Sequence, residues 1–154
     1  MLKYLNTQVT FSEVPDEITL CINITGCKIG CKNCHSSYLA EDVGEELNSL
    51  SLKELISNNK GITCISFMGG DSSPSKIDAL AQWVKINYPI KTAWYSGRQE
   101  LSKDINLNNF NFIKLGPYIE DLGPLNSKTT NQRFYKVEEG KLVDITNLFW
   151  QSND

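Results

Sequence analysis

An α/β fold with a mainly parallel sheet is what this sequence predicts, and three observations predict it. Short apolar runs rich in β-branched residues recur at 18–24, 62–67, 90–94 and 110–115, with the length and composition of strands. Helical signals fall between several of them, and strand–helix–strand alternation marks parallel strands joined by right-handed crossovers. Polar, glycine-bearing loops then follow the runs at 26–36, 68–73, 95–98 and 116–121. In such sheets the loops at the carboxyl ends of the strands gather at one edge, where ligands bind.

The elements follow in order. Ser51-Leu-Lys-Glu54 reads as a capping box that opens a short helix ending near 57–61. A stronger helix is expected from about 75 to 87, opened by Ser73-Pro74-Ser75 and stopped before Pro89. Its Ile77, Leu80, Ala81 and Val84 fall at i, i+3, i+4 and i+7, a stripe that can pack on a sheet. A further turn or two is expected over 98–104, and last strands over 134–137 and 142–145.

No repeat, low-complexity tract or linker divides the 154 residues, so one domain is expected over 1–154, with 147–154 as a C-terminal tail. The formal charge of -3 and the lack of any basic run argue against nucleic acid as a partner. The N-terminal residues carry no apolar core of signal-peptide length, and no stretch is long and apolar enough for a bilayer. A cytoplasmic protein with no membrane partner is the expectation.

Five cysteines is an odd number, and three of them fall in Gly26-Cys27-Lys-Ile-Gly-Cys31-Lys-Asn-Cys34-His35. In a reducing compartment this favours metal binding or catalysis over disulfides. Thiolates are soft ligands suited to zinc or to iron–sulfur clusters. A 4Fe–4S cube usually takes four cysteines, so three in one C-x3-C-x2-C loop leave one iron without a protein thiolate. A structural zinc loop with His35 or Cys64 as fourth ligand is the competing reading, although the second pair of closely spaced ligands typical of zinc is missing. Cys21 and Cys64 each lie inside an apolar run, where core packing is the better reading. His35, the only histidine, fits a supporting role beside the cysteines better than that of a general base.

The C-x3-C-x2-C spacing resembles that of the radical S-adenosylmethionine (SAM) superfamily. Phe67-Met-Gly69-Gly70-Asp71, directly after an expected strand, looks like the superfamily's GGE-type motif, with Asp71 in place of the usual Glu. Asn33 is a second departure, standing where many members carry an aromatic residue. Two glycines let a main chain approach a ligand closely, and a carboxylate suits an ammonium. Taken alone, Gly-Gly-Asp is more often a plain strand-to-helix turn. The later chain is similar to the activating proteins of anaerobic (class III) ribonucleotide reductase. The resemblance lies in Ala93-Trp-Tyr-Ser96-Gly-Arg98, in Lys114-Leu-Gly-Pro-Tyr118 and its continuation, and above all in Thr130-Asn131-Gln132-Arg133-Phe-Tyr135. It runs from the N-terminal residues to about Asp144.

The resemblance implies a partial, open β/α barrel of radical SAM type and two cofactors, one 4Fe–4S cluster and SAM. Cys27, Cys31 and Cys34 would ligate three irons, with Asn33 and His35 beside them. SAM would chelate the fourth iron, held at its methionine end by Gly69, Gly70 and Asp71 and at its polar groups by Ser96. The reaction would leave a glycyl radical on the large reductase subunit, with a reductant protein such as a flavodoxin as electron donor. Asn131, Gln132 and Arg133 are candidates for partner contact, weighed equally against a surface turn capping the last strands. A radical SAM enzyme acting on a small molecule, and a zinc or iron–sulfur module without SAM chemistry, are the alternatives.

Overall fold

The computed structural model describes residues 2–25 and 44–153, the last three as backbone only. In chain order the strands and α-helices are β1 (Lys3–Thr10), β2 (Thr19–Ile24), β3 (Glu45–Glu46), α1 (Ser49–Asn58), β4 (Cys64–Met68) and α2 (Pro74–Asn87). They continue with β5 (Lys91–Tyr95), β6 (Phe112–Leu115), β7 (Arg133–Glu138) and β8 (Lys141–Asp144). Short 3-10 helices cover Leu107–Asn109 and Thr146–Asn153.

The strands form one mixed sheet in the order β3-β1-β2-β4-β5-β6-β7-β8. The middle of the sheet is parallel: β2 pairs with β4, β4 with β5, and β5 with β6. Both flanks are antiparallel, β3–β1–β2 on one side and β6–β7–β8 on the other. The expected mainly parallel arrangement therefore describes the central four strands. A parallel neighbour requires a crossover long enough to return to the same edge, usually a helix. The 116–132 stretch contains no helix, so β7 returns antiparallel on β6.

Side chains alternate across these strands, and the two faces differ in chemistry. Leu20, Ile22, Ile24, Ile65, Phe67, Trp94 and Ile113 join α1 and α2 in the main core, all essentially without solvent exposure. Here α2 contributes the predicted stripe Ile77, Leu80, Ala81 and Val84. The opposite positions along the same strands read Thr19, Cys21, Asn23, Ser66, Met68, Tyr95 and Lys114. Toward β6 and β7 this second face is filled by Phe112, Phe134, Val14 and Leu125, with Phe149 edge-on to Phe134 at 5.1 Å between ring centres. The C-terminal residues through Phe149 and Trp150 thus pack on the domain, and Trp150 Nε1 donates to the Leu125 carbonyl at 2.9 Å.

Two local expectations are corrected. The capping box lies three residues earlier than Ser51/Glu54: Asn48 is the N-cap, its side chain accepts the Ser51 N–H, and the Ser51 hydroxyl accepts the Asn48 N–H. The Leu47 N–H bonds the Leu2 carbonyl at 2.8 Å, so the chain leaves the sheet there and the helix starts at once. Residues 98–104 are not helical. The Ser102 hydroxyl accepts the Asp104 N–H at 3.2 Å, a local turn that competes with helix formation.

Candidate functional site

Parallel pairing puts the carboxyl ends of β2, β4, β5 and β6 along one edge, and hydrogen bonds stitch the turns that leave them. The Gly69 N–H donates to the Tyr95 carbonyl at 2.9 Å, and the Ser96 N–H to the Lys114 carbonyl at 2.9 Å. The Gly116 N–H donates to the Arg98 carbonyl at 2.6 Å. Three of the four loops singled out in the sequence are thereby joined in space. The fourth begins where β2 ends.

The residues of that fourth loop, Cys27, Cys31, Asn33, Cys34 and His35, lie outside the described residues, but the two ends of their segment are placed. At the start, the Thr25 N–H and hydroxyl both donate to the Lys3 carbonyl, at 3.0 and 3.3 Å. At the end, Gly44 has φ +110°, and a Cβ there would stand 2.2 Å from the Tyr4 carbonyl oxygen. No side chain fits that gap. Thr25 and Gly44, the described residues on either side of 26–43, thus sit against neighbouring residues of β1, a strand that the sequence reading did not anticipate.

Next to this edge is the Gly-Gly turn. Gly69 has φ +101° and Gly70 φ +85°, both in the left-handed region that favours glycine. A Cβ on Gly70 would meet Ile77 Cδ1 at 2.7 Å, so the turn lies directly on α2. From the core side, Trp94 Nε1 donates to the Gly69 carbonyl at 2.7 Å. Sequence reasoning placed Trp94 in the core, where it is, but had no signal for this bond.

Asp71 and Ser96 are brought together, at 2% and 1% exposure. The Ser96 hydroxyl donates to Asp71 Oδ1 at 2.5 Å, and the Gly97 N–H donates to Asp71 Oδ2 at 2.9 Å. Arg98 Nη2 donates to the Asp71 carbonyl at 2.8 Å, and its Nε lies 3.9 Å from Asp71 Oδ1. Lys114, a buried cation on β6, donates to the carbonyls of Ser96 at 3.1 Å and Gly116 at 2.7 Å.

The Asn131–Arg133 segment divides. Asn131 Nδ2 donates to the Pro117 carbonyl at 3.0 Å, and Gln132 Nε2 to the Gly116 carbonyl at 3.4 Å. Arg133 is half-exposed, with Nη1 3.8 Å from Asp144 Oδ2. Gln132 also lines an open cavity of about 770 Å³ together with Glu13, Tyr95, Lys114, Tyr118 and Phe149. Burial raises the Glu13 carboxyl above its ordinary range, and burial first, then the nearby Glu13, raises the Tyr95 phenol. The Tyr95 hydroxyl donates to the Glu13 carbonyl and so fixes segment 11–16 over this face.

The donor set can be tested against a metal centre. Cys21 and Cys64 are free and buried. Burial pushes their thiols up to about 11 and about 12 respectively, far from the thiolate form a metal needs. Among the described residues no group of three or more His, Cys, Asp or Glu is placed to hold a metal ion. The remaining thiols are the three of the C-x3-C-x2-C segment, a soft donor set compatible with one iron–sulfur cluster. The family described as "4Fe-4S single cluster domain" matches residues 18–135.

The chain belongs to that family. The matched span of the 4Fe-4S single cluster domain begins at β2, contains the cysteine segment and all four parallel strands, and ends within β7. Membership agrees with one cluster and with a single set of three clustered cysteines, and it favours iron–sulfur over the zinc reading. No curated protein and no solved structure matches the chain. No helix among the described residues is long and apolar enough to cross a membrane.

Proposed function

We propose that this 4Fe–4S domain is a radical SAM activase that generates a glycyl radical on the large subunit of an anaerobic ribonucleotide reductase. The observation that carries the reading is the shared edge. The cysteine segment leaves β2 beside the left-handed Gly69–Gly70 turn of β4, which is itself bonded to the end of β5. Cys27, Cys31 and Cys34 are the ligands proposed for three irons, with Asn33 and His35 next to them in sequence. When bound, a reduced cluster with one iron free of protein thiolate supplies the electron that cleaves SAM to methionine and a 5′-deoxyadenosyl radical.

The chain's own residues bind and orient. Gly69 and Gly70 hold a left-handed turn, Gly70 leaving room for Ile77 of α2, and the main chain of that turn is what the proposal offers to a ligand's methionine end. Asp71 and Ser96 fix that turn against the one after β5. Neutral hydrogen-bonding side chains on the second sheet face, such as Asn6 and Asn23, suit a polar ligand or a peptide main chain. Asn23 already donates to Asn6 at 2.6 Å. The cavity beside Tyr95 and Lys114 gives this face a wide mouth suited to a loop of a partner protein. In this proposal Gln132 faces that mouth and Asn131 holds the Pro117 loop in place, while the half-exposed Arg133, one position on in the chain and on the other face of β7, is a separate candidate contact for the partner.

The test is electron paramagnetic resonance of the large reductase subunit after anaerobic incubation with the reconstituted chain, SAM and a reduced flavodoxin. A doublet signal that needs all components, and disappears with a Cys31→Ser variant, is the expected result. A cluster that is reduced and reoxidised with no SAM consumed would return the chain to an electron-transfer module.

A further inference from the structure

We infer that Asp71 is a positioning residue: its carboxylate ties the turn after β4 to the turn after β5, leaving the Gly69–Gly70 backbone as what a ligand meets. The inference rests on the SAM reading only for the identity of that ligand.

The bonds around Asp71 leave its carboxylate little to offer. Oδ1 receives the Ser96 hydroxyl and Oδ2 the Gly97 N–H, and the residue is 2% exposed. Arg98 closes the fork by bonding the Asp71 main-chain carbonyl, and the Arg98 N–H donates to the Ser96 hydroxyl oxygen at 3.1 Å. Re-aiming the carboxylate at a ligand ammonium would strand the buried Ser96 hydroxyl and the Gly97 N–H. A buried polar group left without a partner is costly, more so when the bond lost was to a charge.

Charge points the same way. The group exposed beside Asp71 is the Arg98 side chain, 49% accessible, so the pair presents a cation outward and not a carboxylate. A ligand ammonium would meet repulsion there, whereas the carbonyls of the Gly-Gly turn, which accept one hydrogen bond each (Gly69 from Trp94, Gly70 from the Ser73 N–H), keep a second lone pair and carry no opposing charge. The turn itself is held from three sides, by Trp94 below, α2 beside it and the Asp71 fork beyond. Asp in place of Glu then has a physical reason in this chain. One methylene less lets the carboxylate fold back onto residues 96–97 instead of reaching outward.

The two roles predict opposite orders of variants. Asn can keep the tie in part: its amide oxygen accepts the Gly97 N–H and its NH2 donates to the Ser96 oxygen, at the cost of the acceptor for the Ser96 hydroxyl hydrogen. Glu cannot occupy the same fork. The experiment is to make Asp71→Asn, Asp71→Glu, Asp71→Ala, Ser96→Ala and the double Asp71→Ala/Ser96→Ala in the reconstituted holoprotein. For each, the thermal midpoint and the KM and kcat for SAM cleavage are measured.

Positioning predicts that Asp71→Asn loses less in midpoint than Asp71→Ala and stays within about threefold in KM, and that Asp71→Glu is worse than Asp71→Asn in both. It also predicts that the double variant loses less than the sum of the two Ala variants. Direct ligand contact predicts the reverse: Asp71→Glu keeps KM, Asp71→Asn raises it by about tenfold or more, and no midpoint moves. That result overturns the inference. If even the wild type cleaves no SAM, the midpoint series and its non-additivity still decide the tie, and only the SAM reading fails.

Discussion

The indole N–H of Trp94 donates to the carbonyl oxygen of Gly69 at 2.7 Å, across neighbouring parallel strands and from within the core. A fully buried aromatic side chain thereby sets the position of a backbone turn at the ligand edge. Trp94→Phe keeps much of the apolar contact and removes this donor, leaving the Gly69 carbonyl short of a partner. A loss of about 1–3 kcal/mol in unfolding free energy is expected, together with a raised KM for SAM. Unchanged urea denaturation would show that the bond contributes nothing.

Gly44 and Gly61 make a matched pair for the anchoring of the cysteine segment. Both have positive φ, +110° and +94°, but a Cβ at Gly44 would collide with the Tyr4 main chain, whereas Gly61 has open space around it. Gly61→Ala should cost about 1 kcal/mol from backbone strain alone. Gly44→Ala should cost more, because strand β1 must move, and should also lower iron retained per chain after reconstitution. Equal losses in both variants, with equal iron, would contradict the clamp.

Cysteine substitutions should sort into two groups. Cys27→Ala, Cys31→Ala and Cys34→Ala are each expected to abolish cluster assembly. Cys21→Ala and Cys64→Ala should keep the iron and lose about 1 kcal/mol or somewhat more from the small voids they leave. Iron and sulfide content beside a denaturation curve separates the groups.

The two buried thiols also set an alkaline limit. Burial raises their folded-state values from the ordinary 9.0 to about 11 for Cys21 and about 12 for Cys64. Above pH 9 the unfolded chain releases these protons and the folded chain retains them, so the unfolded state binds fewer protons and stability falls with rising pH. Their contribution is whole below pH 9 and is lost as pH climbs to between 11 and 12. A Cys21→Ala/Cys64→Ala double variant should show a flatter decline over that window than the parent chain, measured by denaturation at each pH.

Arg133 separates partner contact from stability. Its pairing with Asp144 spans 3.8 Å between side chains that are 40% and 46% exposed, so Arg133→Ala should change stability by less than about 1 kcal/mol. The proposal that it meets the partner predicts a weaker complex with the large reductase subunit in an anaerobic binding titration. Asn131→Ala should instead act on stability, by freeing the Pro117 carbonyl. A normal titration with Arg133→Ala would remove that residue from the interface.

The parallel centre of the fold and the cores of its strands were legible because Leu20, Ile65 and Ile113 lie in continuous apolar runs, a pattern set by local chemistry. Strand β1 was not, since a register shift between Tyr4 and Asn6 breaks its alternation and its Asn6 and Gln8 look like loop residues. Ser51 was recognised as a capping residue, but two overlapping patterns shared it. The choice of Asn48 depended on the Leu47–Leu2 bond, which is far apart in sequence. At the site, the cysteine segment and the Gly-Gly turn stood out by residue type and spacing. The Asp71–Ser96 pairing and the inward turn of Asn131 did not, because each rests on a partner brought near only by the sheet.

The central claim, that this 4Fe–4S domain performs SAM chemistry, is tested most directly by anaerobic reconstitution with iron and sulfide, followed by reduction, addition of SAM and assay for 5′-deoxyadenosine. The account predicts about four irons per chain, as for one cubane, and 5′-deoxyadenosine that requires reductant and is lost with Cys31→Ala. A fully loaded, reducible cluster that forms no 5′-deoxyadenosine would contradict it.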